Sequence, residues 1–306
     1  PGRKGLAKVS KEESSPIFTY HTRKKINKGL KYVLMILLAV FFMFPIVFML
    51  ISSIKEDEFQ VVQDMSSLRA FVPVGDLGIQ NYLDMFEFHN FGQQFFNSLL
   101  IMVLTVLVGL LVNSMIAYAL ARLRFSGKNI LLSVVIALIV IPFEAVAVPL
   151  LIIVNNFPWF GGATTWLDTY HVQIFPFIAD AFSIFLFYQF FINIPKDLEE
   201  AALIDGASLF GIYWKIVVPL SRPIIATVAI LQSLNAWNRF MWPLMVTRGQ
   251  EVRPLTVGIQ AFFGQSPRLW GDLMAFASMI TIPVLIVFLL FQKWFVQSVA
   301  STGIKG

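Results

Sequence analysis

From Tyr32 to Ile54 the chain runs 23 residues without a charged side chain. At 1.5 Å of rise per residue, about 20 apolar residues cross the hydrocarbon core of a bilayer. Five further apolar stretches follow, at about 95–121, 130–154, 172–194, 223–246 and 273–296. A chain inside a bilayer must satisfy its backbone hydrogen bonds internally, so each stretch is expected to be helical. The predicted fold is an all-α integral membrane protein with six transmembrane helices. Composition agrees: 57% of the 306 residues are hydrophobic and 13% charged. A soluble chain with that balance would expose large apolar patches. The first run is too long for the apolar region of a signal peptide, and no small-residue cleavage site follows it. It is expected to be a retained span.

The basic residues set the predicted topology. Residues 1–31 carry nine Lys or Arg and read as a basic cytoplasmic tail, mostly flexible, with an interfacial helix near His21 to Lys31. Residues 32–306 form the spanning domain. With the N-terminus inside, seventeen Lys or Arg fall on the cytoplasmic side, counting Lys293 at the inner end of the last span, five fall outside, and Arg239 lies within the fifth span. That is the positive-inside bias, with both termini cytoplasmic. The net charge of +5 is thereby explained by the lipid bilayer, with no nucleic-acid partner implied. The chain contains no Cys, which excludes disulfides and thiolate metal sites.

One polar island, residues 195–219, interrupts the apolar pattern. Asp197 with Glu200 three residues on has the form of a capping box. Glu199 and Glu200 lie in the positive first turn of the predicted helix. Ala201 and Ala202 favour helix, and Gly206 suits the left-handed residue that ends one. Ser208 is placed to cap a second short helix carrying Leu209, Phe210, Ile212, Tyr213, Trp214 and Ile216, with Pro219 limiting it.

The island resembles the EAA loop of ABC-importer permeases: Glu200-Ala201-Ala202, then Asp205-Gly206-Ala207, then Val218-Pro219, with Val218 where Leu is usual. Asn97-Ser98-Leu99, Ala117 to Arg122, Trp237-Asn238, Trp242-Pro243 and Ile282-Pro283 extend the similarity over about Phe95 to Gly306, toward the six-span subunit of maltose-type carbohydrate permeases. Members usually carry an acid where Arg239 stands and often Gly where Ser298 stands. The resemblance implies that Glu199, Glu200, Ala201, Ala202, Asp205, Gly206 and Ala207 form a cytoplasmic coupling helix that docks on an ATPase. It implies a bacterial or archaeal plasma-membrane importer with a second homologous permease, two ATP-binding subunits and an external substrate-binding protein.

No phosphate-binding glycine loop occurs, so ATP and Mg are assigned to the partner ATPase and no cofactor to this chain. His21, His89 and His171 are scattered, and no hydrolase or metalloprotease motif is present. No catalytic or metal-binding residue is assigned, and the chain is not read as an enzyme. Intramembrane polar groups are the candidates for a translocation pathway, because they are costly in lipid and favour a cavity or partner. They are Asn113, Glu144, Asn235, Asn238 and Arg239. Asn235, Asn238 and Arg239 share a helix face, which with Trp237 and Trp242 offers the hydrogen bonds and aromatic surface that sugars require. Asn113 equally suits a bridge between helices, and Arg239 an ion pair with Glu144 or Asp180. A self-contained secondary transporter or channel using Glu144 and Asp180 is the alternative, since proline-broken spans and intramembrane acids suit ion coupling.

Overall fold

The computed structural model describes residues 16–158, 164–264 and 268–302. Residues 1–15 of the tail expected to be mostly flexible, residues 159–163 and 265–267, and the end of the chain beyond residue 302 lie outside them, while residues 16–31 of that tail are helical. The described residues are helical, apart from turns and one isolated antiparallel bridge between Lys55 and Leu77.

Three helices are long and apolar enough to cross a membrane outright: Asn27–Ser53, Phe91–Arg122 and Tyr170–Phe191. Two bent pairs raise the number to five if each pair is one span, and Trp270–Ile286, the apolar part of the last helix, is a shorter apolar helix. The first span belongs to one continuous helix, Pro16–Ser53, so no separate interfacial helix precedes it. Its apolar side chains from Tyr32 to Phe44 are exposed on the isolated chain, as expected where the surrounding solvent is lipid.

Prolines explain where the expected straight spans break. The stretch 130–154 is two helices, Lys128–Val140 and Phe143–Asn155, meeting at 104°. Ile141, preceding Pro142, is extended at φ −76° and ψ 116°, because the proline ring disfavours helical backbone before it. The stretch 223–246 is likewise interrupted. The Arg222–Asn238 helix stops, and Met241–Val246 resumes after an extended Arg239. Pro243 would meet the carbonyl of Arg239 four residues back in an unbroken helix. Pro219 does not end its helix as expected. A π turn, Tyr213–Val217, lies just before it, and helix continues to Leu220. Local π geometry is one way of absorbing a proline's missing donor. The direction changes instead by 79° after Leu220, ahead of Pro223.

Polar side chains lock the segments together. Asn97 is fully buried and donates to the carbonyls of Glu251 and Arg253, both at 2.9 Å, while Tyr170 donates to its Oδ1 at 2.8 Å. Ser98 Oγ accepts from Leu255 N at 2.8 Å. These two residues therefore pin the 251–255 loop. Lys55, also buried, pairs with Asp64 at 2.6 Å and donates to the Arg69 carbonyl at 2.9 Å. The Glu58 carboxylate accepts from Trp270 N and Gly271 N at 2.7 and 2.8 Å, holding the start of the last helix. One apolar core joins Ala117, Tyr118, Phe187, Phe191, Tyr213 and Val228. A second gathers Met85, Phe91, Trp237, Phe262 and Phe276.

Candidate functional site: a cavity at three helix breaks and a surface helix

The breaks at Pro142, at Pro176–Asp180 and at Arg239–Phe240 converge on one cavity of about 760 Å³. A helix interrupted within a bilayer leaves backbone groups unpaired, which is tolerated where they are buried in protein or line a wet cavity. The walls carry Glu144 from the first break, Phe177 and Asp180 from the second, and Asn235, Asn238 and Arg239 from the third.

Arg239 dominates this space. Its guanidinium carbon lies 3.5 Å from the Phe177 ring centroid, and one terminal nitrogen donates to Asn235 Oδ1 at 3.1 Å. Asn235 and Arg239 meet as expected, but Arg239 is extended just past the end of the Arg222–Asn238 helix, so the shared helix face expected from the sequence is not formed. The anticipated ion pair is not formed. The two ion pairs among the described residues are Lys55–Asp64 and Arg122–Glu199. Asp180 has another task. Its Oδ2 accepts from Ser183 N at 2.7 Å and Ser183 Oγ at 2.5 Å, capping the Ala181–Phe191 helix.

Asn113 does not line the cavity. It is fully buried, donates to the Ile178 carbonyl at 3.0 Å and accepts from Asp180 N at 2.9 Å. It thus satisfies both sides of the break behind the wall. Gln232 donates to Ser183 Oγ at 3.2 Å. A Cβ on Gly109 would lie 2.9 Å from Gln232 Oε1, so glycine permits this approach. Sequence reasoning missed Phe177 and Ser183 as wall residues. Phe177 is one of 31 Phe and carried no distinguishing signal.

The polar island folds into a short surface helix, Asp197–Ile204. Its N-cap is Lys196, without a side-chain cap bond, so the expected Asp197–Glu200 box is not made. Asp197 already lies inside the first turn. The other end is as expected. Gly206 has φ +81°, and its N–H bonds the Leu203 carbonyl at 3.0 Å, while Ala207 N bonds Ala202 O at 2.9 Å. This pair of bonds is a Schellman cap. Ser208 Oγ accepts from Gly211 N at 3.1 Å, as expected of the second cap.

Glu199, rather than Glu200, anchors the helix. It meets Arg122 at 2.9 Å, and Arg122 also donates to the Ile194 carbonyl at 2.5 Å. Burial pushes the Glu199 carboxyl above the usual glutamate range, with Arg122 and Lys196 pulling it back. Ala202, one turn on, is half-buried against the apolar core, as is Ala207. The opposite face, Asp197, Glu200, Ala201 and Ile204, is exposed, Ile204 at 86%. Tyr213 and Ser114 meet at 2.7 Å, a second tie to the Phe91–Arg122 helix. That helix places Thr105 in the cavity wall and Arg122 under the surface helix. The two lie roughly 25 Å apart along its axis.

Multiple long apolar helices, a polar cavity at their breaks and a tethered surface helix define a multi-pass membrane transport subunit. Residues 109–301 match the family described as binding-protein-dependent transport system inner membrane component, and the chain belongs to it. It is 31% identical over 271 residues to the arabinooligosaccharides transport system permease protein AraQ of Bacillus subtilis, covering 88% of this chain and 93% of that one. It is 32% identical over 281 residues to the trehalose/maltose transport system permease protein MalG of Thermococcus litoralis, covering 89% and 94%. Among solved structures, a chain of a bacterial ABC transporter involved in import of the acidic polysaccharide alginate superposes with a TM-score of 0.76. It is 25% identical, with 89% of this chain and 98% of that chain covered. The protein is thus an inner-membrane permease subunit of an ABC importer, a transport component and not an enzyme.

Proposed function

We propose that this subunit forms half of the translocation pathway of an ATP-driven importer for a sugar, oligosaccharide or sugar/polyol derivative. It crosses the membrane six times with both termini cytoplasmic. It pairs with a second, homologous permease, two ATP-binding subunits that hold ATP and Mg, and an external binding protein. The substrates named for the relatives support the class: arabinooligosaccharides, trehalose and maltose, and alginate. The cavity's amides, cation and aromatic rings match the needs of a polyhydroxylated ligand.

The observation that carries the reading is the tether of the Asp197–Ile204 helix to Arg122. One rigid helix links that contact to the cavity wall at Thr105. Closure of the ATPases on the exposed Glu200–Ile204 face would move the surface helix, and the Arg122–Glu199 contact passes that motion to the spans. Glu199 and Ala202 hold the helix, Gly206 sets its exit, and Glu200, Ala201 and Asp205 face the ATPase. Glu144, Asn235, Asn238 and Arg239 face the substrate, and Asn113 supports their wall. The test is uptake by proteoliposomes holding the whole importer. Glu200→Lys is expected to abolish ATP-driven uptake while membrane insertion stays normal. Undiminished uptake by that variant would refute the coupling role.

Asp180's engagement as a helix cap leaves no support for the ion-coupled alternative at that residue.

A further inference from the structure

We infer that Arg239 is a specificity residue, and that the transported saccharide or polyol carries an anionic group which docks on it. This rests on the importer reading and names the substrate class of the same cavity.

Three observations carry it. First, the guanidinium stands in the cavity wall and is in neither of the ion pairs formed among the described residues. Its hydrogen bond is to a neutral amide, Asn235, and its flat face rests on Phe177. Stacking on one face leaves the edge of the guanidinium, where its N–H donors lie, directed along the ring plane. One donor serves Asn235, and none of the Arg239 nitrogens is sealed off from space without a partner. The remaining donors are therefore in reach of a ligand. A fork of N–H groups matches a carboxylate, phosphate or sulfonate better than a lone hydroxyl.

Second, the nearby Asp180 is fixed in another role. Its Oδ2 is held by both donors of Ser183 at a helix start, and it forms no ion pair with Arg239. Asn113 accepts from Asp180 N and Gln232 donates to Ser183, so the same break is braced from behind.

Third, the remaining wall suits the neutral part of such a ligand. Glu144 is an exposed acceptor for sugar hydroxyls, Asn238 adds an amide, and Phe143 and Phe177 supply apolar surface, while Trp242 is fully buried behind them. Glu144 also repels an anion, which orients the acidic group toward Arg239 rather than toward the Phe143–Asn155 helix.

The test uses the complete importer in proteoliposomes, with a uronic-acid trisaccharide, glycerol 3-phosphate and maltotriose as probes. Binding-protein-stimulated ATPase activity is followed in parallel to show that each variant complex is assembled. The expected result is ATP-driven uptake of an anionic probe that falls about tenfold with Arg239→Gln and falls less with Arg239→Lys, which keeps the charge but not the fork, since loss of one charge-assisted contact has about that size. Preference between the trisaccharide and glycerol 3-phosphate tells a carboxylate from a phosphate. Uptake of maltotriose but of neither anionic probe overturns the inference and leaves the importer reading standing. So does anionic uptake that is indifferent to Arg239→Gln. Absence of ATP-driven uptake of any probe, with no ATPase stimulation, overturns the importer reading and the inference with it.

Discussion

Arg122, the last residue of the Phe91–Arg122 helix, meets Glu199 in the first turn of the Asp197–Ile204 helix at 2.9 Å, with both side chains largely buried. This contact joins the polar island at residues 195–219 to a helix that also lines the cavity. Burial holds the Glu199 carboxyl above its usual range despite the adjacent cation. Desolvation therefore outweighs attraction, and the pair serves position more than stability.

Charge reversal exposes that role. Glu199→Lys places two cations together and is expected to destabilise the complex by on the order of 3 kcal/mol and to stop uptake. Adding Arg122→Glu restores opposite charges and should recover both in part. Thermal melting and uptake of the single and double variants measure this. No recovery in the double variant would show that the two residues act independently.

The pH dependence has a definite sign. A carboxyl with a raised folded-state pKa binds more protons folded than unfolded. Its stabilising contribution is complete below the unfolded value and is lost as pH rises through the folded one. Wild-type protein should therefore gain stability relative to Glu199→Gln as pH falls through the range just above that of an ordinary glutamate. A gap between the two melting temperatures that is flat across this range would argue against a buried Glu199.

Gly206 isolates a backbone effect. Its φ is +81°, yet a Cβ built there meets nothing within 4 Å. Gly206→Ala should cost about 1 kcal/mol through conformation alone, and Gly206→Asn less, because Asn tolerates the left-handed region. Gly206→Pro cannot adopt this φ and also removes the bond to the Leu203 carbonyl. It should abolish uptake. Melting temperatures ranked Asn above Ala above Pro would match this order, and equal values would not.

Asn113→Ala removes both bonds that close the break ahead of Asp180. The expected loss is about 1–2 kcal/mol of stability, in the upper range for side-chain hydrogen bonds within membranes. Asn113→Asp keeps the acceptor for Asp180 N but presents an acceptor to the Ile178 carbonyl, and should fare no better. A melting temperature unchanged in both variants would place the support of this wall elsewhere.

Sequence periodicity made the helical membrane class legible because lipid imposes a simple rule: long apolar runs must satisfy their own backbone. It also located Gly206 and Ser208, whose conformations depend on neighbours two or three residues away. The capping box failed because Asp197 sits one residue inside the helix, a shift that spacing alone does not resolve. The bends at Ile141, Ser221 and Arg239 were written in prolines, but their angles depend on what the severed halves pack against. The Arg122–Glu199 tether joins residues 77 positions apart by their numbering, and neither has a local pattern that names the other. Phe177 beneath Arg239 was hidden for the same reason.

The lack of Cys in the chain permits one direct test of the coupling face. Ile204→Cys introduces a single thiol at an 86% exposed position of the surface helix. The tagged variant is purified from its native membrane in mild detergent and treated with a short cross-linker carrying a maleimide for the thiol and an amine-reactive ester for lysines of a neighbouring subunit. An importer subunit coupled through this helix gives a cross-link from residue 204 to a co-purifying ATP-binding subunit, identified by mass spectrometry. Recovery of the chain without any ATP-binding subunit, with the thiol freely labelled, would contradict it.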